Sequence, residues 1–408
     1  MMNYPGVLAD DPSVYDKLAD AKQHSKIIDG HAPFLSGQAL SKYVSAGIGS
    51  DHECSDLNEA IEKLRAGLRI MIREGTAARN LDELLPLFDE PYHHRCMLVT
   101  DDRHPADLMR DGHIDHIIRR AVKGGKSAVT AIRMATLHAA EYFGLTRLGA
   151  VAPGYRADVL VLNDLDNVEI EDVYTAGNKI VSGKTLVPFS RPTVSPALSD
   201  IALHSFHVKE LTPDDFYIEQ TGERVRVIEV IPGQLITKEM IVTLDRLKKD
   251  LIDTERDILK LAVIERHNNT GHIGLGLIHG IGLKQGAIAS SVSHDSHNII
   301  VIGTSDEDMA LAANHIRAFG GNVVVSNGKI IADMALPIAG LMSDVSGEEI
   351  ASANEKVRNA VYALGVPKDI EPFMNMAFVS LPVIPSIKMT TQGLVDVDRQ
   401  QRIPLFCD

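Results

Sequence analysis

Four short apolar runs near the N-terminus each stop abruptly on polar residues. They read KIIDGH (26–31), IGSDHE (48–53), RIMIREG (69–75) and CMLVTDD (96–102). Helical periodicity lies between them. Residues 35–46 follow Pro33, residues 57–66 follow the capping pair Ser55 and Asp56, and residues 80–88 carry Leu81, Leu84, Leu85 and Phe88 on one face. Strands alternating with helices predict parallel pairing and right-handed crossovers. In such sheets and barrels chemistry gathers at the carboxyl ends of the strands, where His31, His52, Glu53, Arg73, Glu74, Asp101 and Asp102 all fall.

The remaining pattern extends this α/β reading. A helix over 14–24 precedes the first strand, the turn Arg103-His104-Pro105 follows the fourth, and helices are predicted over 107–122 and 127–143. The second has a packing face of Val129, Ile132, Met134, Ala135 and Ala139, which makes His138 a half-buried residue rather than a ligand; Gly144 marks its stop. From Leu148 the character changes to a strand over 157–162 and a hairpin over 173–181 turning at Gly177-Asn178. Residues 187–198, with Pro188, Pro192 and Pro196, read as a linker. Beyond it strands are predicted at 224–230, 235–237 and 258–265, with 242–254 an exposed helix or loop. The glycines of 271–286 lack the strand, GxGxxG, helix order of a phosphate loop, so they read as close-packed turns. After an apolar run at 287–292, strands at 299–303, 322–325 and 329–332 and helices at 305–319 and 348–364 complete a C-terminal α/β or α+β domain, with Met342, Met374 and Met376 as core fillers.

Composition narrows the class. With 408 residues, 45% hydrophobic and 24% charged, the chain has room for two or three domains. A formal net charge of -14 offers no footprint for nucleic acid, and a neutral small molecule is compatible with it. Cys54, Cys96 and Cys407 are too few and too scattered for a disulfide framework, so a reducing cytoplasm is expected. No apolar run approaches the length of a membrane span, and no secretory leader is evident.

Two histidines and an aspartate on neighbouring strand ends would converge on one point. Neutral imidazoles with a carboxylate suit a divalent transition metal, which turns water into a nucleophile near neutral pH. An aspartate beside that water could take its proton and pass it to a leaving group. The alternative is that His31 and His52 are structural and the acids are solvated helix caps; four strand ends in succession weigh against it. A second cluster, His294, Asp295 and His297 in SHDSHN (293–298), could be another metal site, a closing loop or a structural polar turn.

DGHAP (29–33), SDHE (50–53), MIREGTAARNL (71–81) and TDDRHP (100–105) resemble the adenine deaminase branch of the metal-dependent amidohydrolases. The resemblance continues through LGAVAPGYRADVLVL (148–162), SHDSHN, LPIAGLMS (336–343) and FVSLPVIPSIKMTTQGL (378–394). It implies hydrolysis of adenine to hypoxanthine and ammonia in a (β/α)8 barrel with one or two divalent ions, manganese foremost, iron or zinc also possible. It implies His31 and His52 as ligands after barrel strands five and six. Asp101 becomes the strand-eight aspartate that binds metal and shuttles protons, and Glu53 a catalytic or substrate-side acid. Arg73, Glu74, Asp102 and Arg103 are expected to contact substrate. A homo-oligomer is expected. A hydrolase of cyclic amides would share the histidine and aspartate core, but the MIREG and TDDRHP runs favour a purine.

The resemblance also has a departure. Nothing here matches the family's strands one to four, with their His-x-His pair and bridging glutamate. The expected architecture is therefore the second half of the barrel over 1–147, a remnant of the small β-sandwich over 148–187, the linker at 188–198 and a C-terminal domain over 199–408. A half-barrel has open edges, so the expectation is a chain that is poorly active alone or is completed by another polypeptide. A catalytically incomplete subunit is the second function considered.

Overall fold

The computed structural model describes residues 1–76, 78–190, 193–232, 234–244 and 251–408. They form two compact units, Met1–Pro192 and Thr193–Asp408, each with its own buried apolar clusters. Pro192 of the expected linker and residues 245–250 of the expected exposed segment lie outside the described residues.

In the first unit three short strands pair in parallel, β1 (Ser50–Asp51), β2 (Arg69–Arg73) and β3 (Cys96–Val99), in that order among the described residues. Ser50 is in register with Arg69 and Ile70 with Cys96. Residues Ile70, Met71, Ile72 and Arg73 are all buried, as in a parallel sheet covered on both faces. The intervening helices match their sequence signals. Leu57–Arg65 starts on Asp56, whose carboxylate accepts from the Asn58 and Glu59 amides, and Leu81–Leu84 runs on as a 3-10 turn, Leu85–Phe88. Ile117, Ile118, Ala121, Ala131 and Met134 of the later helices share a cluster with Ile70, Ile72, Cys96 and Leu98.

Several local expectations change. Residues 26–31 form no strand ladder. Lys26 N–H closes onto Ala21 C=O at 2.8 Å, Gly49 N–H donates to Ile28 C=O at 2.9 Å, and side chains add further bonds: Gly30 N–H donates to Ser50 Oγ at 3.2 Å and Ala32 N–H to Asp51 Oδ1 at 2.8 Å. The helix expected over 107–122 is two, Pro105–Asp111 and Ile114–Lys123, because Gly112 takes a left-handed φ of 102°. That expected over 127–143 breaks at Thr136, whose hydroxyl donates back to Ile132 C=O at 2.7 Å.

The later part of this unit is a four-stranded antiparallel meander, β4 (Val159–Leu162), β5 (Ile170–Thr175), β6 (Asn178–Ser182) and β7 (Thr185–Leu186). Its hairpin turns at Ala176-Gly177, one residue earlier than expected, because those two residues take the positive φ values of 49° and 82° that a tight two-residue turn needs. Val168 and Leu162 tie the meander to the main cluster.

The second unit opens with a helix, Pro196–Leu203, that begins inside the stretch expected as linker, with Pro196 at its first turn. Its large sheet uses β8 (Arg224–Val230), β9 (Thr237–Thr243), β10 (Leu259–Ile264), β11 (Ile273–His279), β12 (Ala287–Ser290), β13 (Ile299–Gly303), β14 (Asn322–Ser326) and β15 (Lys329–Met334). A small sheet follows, β16 (Ile387–Thr390), β17 (Gly393–Asp396) and β18 (Gln401–Arg402), and β19 (Phe406–Cys407) returns to β8. Alternation sorts the buried strands: Leu259, Leu261, Val263, Ile300 and Ile302 face one cluster, Ala262, Ile264, Ile299 and Val301 the other. The glycine-rich run is in part the strand β11, where a side chain on Gly274 would put its Cβ 1.8 Å from Thr390 O, while Gly271, Gly280, Gly282 and Gly286 take the positive φ of the expected turns. Met376 is buried as expected, but Met342 is 59% exposed and fills no core.

Candidate functional site

β1 ends after two residues, so His52 and Glu53 leave the pleat and swing to the same side as His31. Glu53 N–H donates to Asp51 Oδ2 at 3.2 Å, and His31 N–H donates to the buried Tyr43 hydroxyl at 3.0 Å. The result is a close triangle. His31 Nδ1 lies 3.3 Å from His52 Nε2, and Glu53 Oε1 lies 3.2 Å from each. His31 and Glu53 are buried, and His52 is 26% exposed.

Arg73, the last residue of β2, closes the triangle. Its Nη1 and Nη2 reach Glu53 Oε1 and Oε2 at 2.6 and 3.0 Å, and Nη1 also meets Asp101 Oδ2 at 2.6 Å. Burial disfavours a charged Glu53, yet hydrogen bonds to His31 and His52 and the Arg73 charge outweigh it and hold its carboxyl well below the usual range. Burial also opposes protonation of His52, but its bond to Glu53 and that carboxylate's charge raise its pKa. Asp101 does not meet the imidazoles directly, contrary to expectation. It stands behind Arg73, in a left-handed turn with φ 52°, and its side chain is 41% exposed. The acid within ligand range is Glu53.

The other expected site residues diverge. Alternation turns Glu74 away from Arg73, and its carboxylate pairs with Arg120 in a polar pocket of about 330 Å³ that Arg79, Asp82, Arg103, Asp111 and His116 also line. Arg103 donates to Gly112 C=O at 2.9 Å and pairs with Asp111, while Arg73 holds the Asp101 carboxylate. Asp102 lies against Gly75, where a Cβ would come within 1.6 Å of its Oδ1. His138 is buried with Nδ1 3.3 Å from Cys96 O.

In the second unit, His294 pairs with Asp295 and lies tilted beside the Phe378 ring, with ring centroids 5.4 Å apart, while Arg266 bonds the His297 carbonyl. Among the described residues His294, Asp295 and His297 are not a group of three with donor atoms within 4.8 Å of one another, which weighs against the metal site among the three readings of this segment. Sequence reasoning missed Asp51 and Lys63, buried beneath the site. The one local signal was the spacing of Glu59 and Lys63 one helical turn apart.

The residues fit a metal ion. Two imidazole nitrogens and a carboxylate oxygen lie within 4.8 Å of one another, and the buried Nε2 of His31 has no protein partner.

Residues 1–180 match the amidohydrolase family and residues 234–401 the adenine deaminase C-terminal domain. An adenine deaminase of Desulfatibacillum aliphaticivorans is 46% identical over 410 residues, covering 100% of this chain and 71% of its own length. Adenine deaminase 2 of Carboxydothermus hydrogenoformans is 45% identical over 411 residues, covering 99% of this chain and 70% of its own length. An adenine deaminase of Methanothrix thermoacetophila is 46% identical over 411 residues, again covering 100% and 71%.

Proposed function

The chain belongs to the adenine deaminase family of the amidohydrolases, and from that premise we propose that it hydrolyses adenine to hypoxanthine and ammonia. One observation carries the reading: His31, His52 and Glu53 bring three donor atoms within 4.8 Å, beside a buried imidazole nitrogen that has no protein partner. Relatives of this name along the whole chain favour it over a catalytically incomplete subunit.

The family is generally dependent on divalent metals. His31, His52 and Glu53 are the residues assigned to hold the ion, and manganese is the metal proposed, with iron and zinc as the others such a donor set accepts. When bound, the ion supplies Lewis acidity that makes water a nucleophile at neutral pH. The water oxygen bonds to C6 of adenine as ring nitrogen N1 takes up a proton, the bond from C6 to the exocyclic nitrogen breaks, and that nitrogen leaves as ammonia, so that one proton of the water ends on N1 of hypoxanthine and the other on the ammonia. Asp101 narrows to the proton carrier. Its Oδ2 is held by Arg73, so Oδ1 takes a proton from water and delivers it to the departing nitrogen. Arg73 pairs with Glu53 and Asp101 at once, and its charge helps keep the Glu53 carboxyl ionised. Asp102, next along from Asp101, is assigned to the substrate side.

The parallel sheet and helices of 1–147 are read as part of the family's barrel, the meander of 148–187 as part of its small β-sandwich, 188–198 as linker and 199–408 as the C-terminal domain. A homo-oligomer in the cytoplasm, binding no nucleic acid, is the companion reading; three cysteines without disulfides support the compartment and a net charge of -14 the absence of nucleic acid. No described helix is long and apolar enough to cross a membrane. The test is direct: the full chain loaded with Mn2+ should release one ammonia per adenine consumed, and a metal-loaded chain that releases none overturns the reading.

A further inference from the structure

Helix Leu57–Arg65 carries a lysine whose side chain is 0% exposed. An ammonium so placed is costly unless all three of its protons find acceptors. Lys63 Nζ finds three: Ala32 O at 2.6 Å, Asp51 Oδ2 at 2.9 Å and Glu59 Oε1 at 2.5 Å. Ala32 directly follows His31, and Asp51 directly precedes His52.

Asp51 is itself fully buried and grips the same two segments. Its Oδ1 accepts from Ala32 N–H at 2.8 Å, and its Oδ2 accepts from Glu53 N–H at 3.2 Å and from Cys54 Sγ at 3.3 Å. Glu59 adds Phe34 N–H at 2.8 Å and Ser55 N–H at 3.3 Å. Ala32 is therefore held at both its N–H and its C=O, and the hub takes backbone groups on either side of the three ligand candidates. Asp51, Cys54 and Glu59 also bring their donor atoms within 4.8 Å of one another, as a metal site would. The Lys63 ammonium already bonds both of their carboxylates, so the cation of this cluster belongs to the chain.

We propose that Lys63 is a positioning residue: its ammonium ties the turn carrying His31 to the turn carrying His52 and Glu53, and so sets the spacing of the metal ligands. A buried ion pair is by itself a weak source of stability. What an apolar contact cannot do is hold named backbone groups at set points beside the ligands, and precise ligation requires that support. The inference rests on His31, His52 and Glu53 being the ligands.

The test uses the full chain with Lys63→Met and, as the milder change, Glu59→Gln. In the metal-free protein, amide exchange at Ala32, Phe34, Glu53 and Ser55 should quicken on the order of 10-fold, with the Ile72 and Leu98 amides of β2 and β3 unmoved. Mn2+ affinity, read by chelator competition, should fall about 10–100-fold, as for other groups that support metal ligands, and the absorption of the Co2+ form should change. Unchanged exchange and unchanged affinity in a folded variant, or exchange that quickens equally across the sheet, overturns the proposal and leaves Lys63 a stabilising residue only. If Lys63→Met does not fold, Glu59→Gln decides by the same criteria. A wild-type chain that binds no Mn2+ overturns the ligand reading and this proposal together, whereas failure in the variants alone overturns only the latter.

Discussion

Arg73 and Glu53 meet as a two-point fork, with Nη1 2.6 Å from Oε1 and Nη2 3.0 Å from Oε2, and both side chains are buried. Charge-assisted forks of this kind fix orientation as well as energy. Because Nη1 is shared with Asp101, one guanidinium sets the distance between the acid that faces the imidazoles and the acid that faces solvent.

Removing the cation strands Glu53 in the interior. Arg73→Met is expected to cost about 3–5 kcal/mol, the usual penalty for breaking a buried pair from one side. Arg73→Lys keeps the charge, loses the fork and should cost less. Denaturant unfolding measures both, and ammonia release from adenine should fall in both. Full stability in Arg73→Met would mean that His31 and His52 suffice to hold the Glu53 carboxylate.

The histidines should govern metal content. His31→Ala or His52→Ala removes one of the nitrogens of the triangle, and each is expected to weaken metal binding by more than the ~10–100-fold that loss of a supporting group costs. His297→Ala, in the second unit, should leave metal content unchanged. Elemental analysis after dialysis against a competing chelator separates the three.

Gly30 allows the approach of the His31 segment to β1. A Cβ there would sit 1.9 Å from Ser50 O and 2.9 Å from the Ile48 side chain. Gly30→Ala must push the segment away from the strand, at about 1–3 kcal/mol for overpacking, and it moves His31 relative to His52. The expected outcome is a lower unfolding midpoint together with weaker metal binding. Wild-type affinity in this variant would show that the segment adjusts without disturbing the ligands.

Stability of the second unit should depend on pH through Lys388. This residue is fully buried with Nζ 2.9 Å from Leu235 O, and burial lowers its pKa to about 7. The unfolded lysine keeps its ordinary value of about 10.4. Between these two values the unfolded chain binds a proton that the folded chain has released, so stability rises with pH there by at most about 1.4 kcal/mol per unit. Below about pH 7 both states are protonated and the penalty is fully present. Lys388→Met should stabilise the unit at pH 7 and flatten the rise from pH 7 to 10, less about 1 kcal/mol for the donor lost to Leu235 O. Urea midpoints of the two proteins across that range measure the difference, and parallel curves would contradict the prediction.

Much of the architecture is written locally. The strand over 224–230 and that over 299–303 stand where alternation and β-branched runs indicate. The helix caps Asp56, Ser305 and Ser346 act through side chains two or three residues from the amides they bind. Where a local signal missed, another local one had prevailed: Gly112 and Thr136 each break a helix that apolar periodicity alone would continue.

The site divides differently. His31, His52, Glu53 and Arg73 are recognisable in the chain because each closes an apolar run, a signal that depends only on neighbours, although the run before His31 forms no strand and only the other three stand at strand ends. Which acid meets the imidazoles depended on how many residues β1 keeps in its pleat, and on a β1 to β2 register that brings Arg73 up to Glu53. Those facts join residues about twenty positions apart. The turning of Glu74 toward Arg120, and the capture of both ligand turns by Lys63, likewise span 46 and 31 positions. Patterns within a few residues encode helices, strands and caps, but the partner of a buried charge is chosen by whichever segments the packed chain brings to it, and only the assembled fold makes that choice.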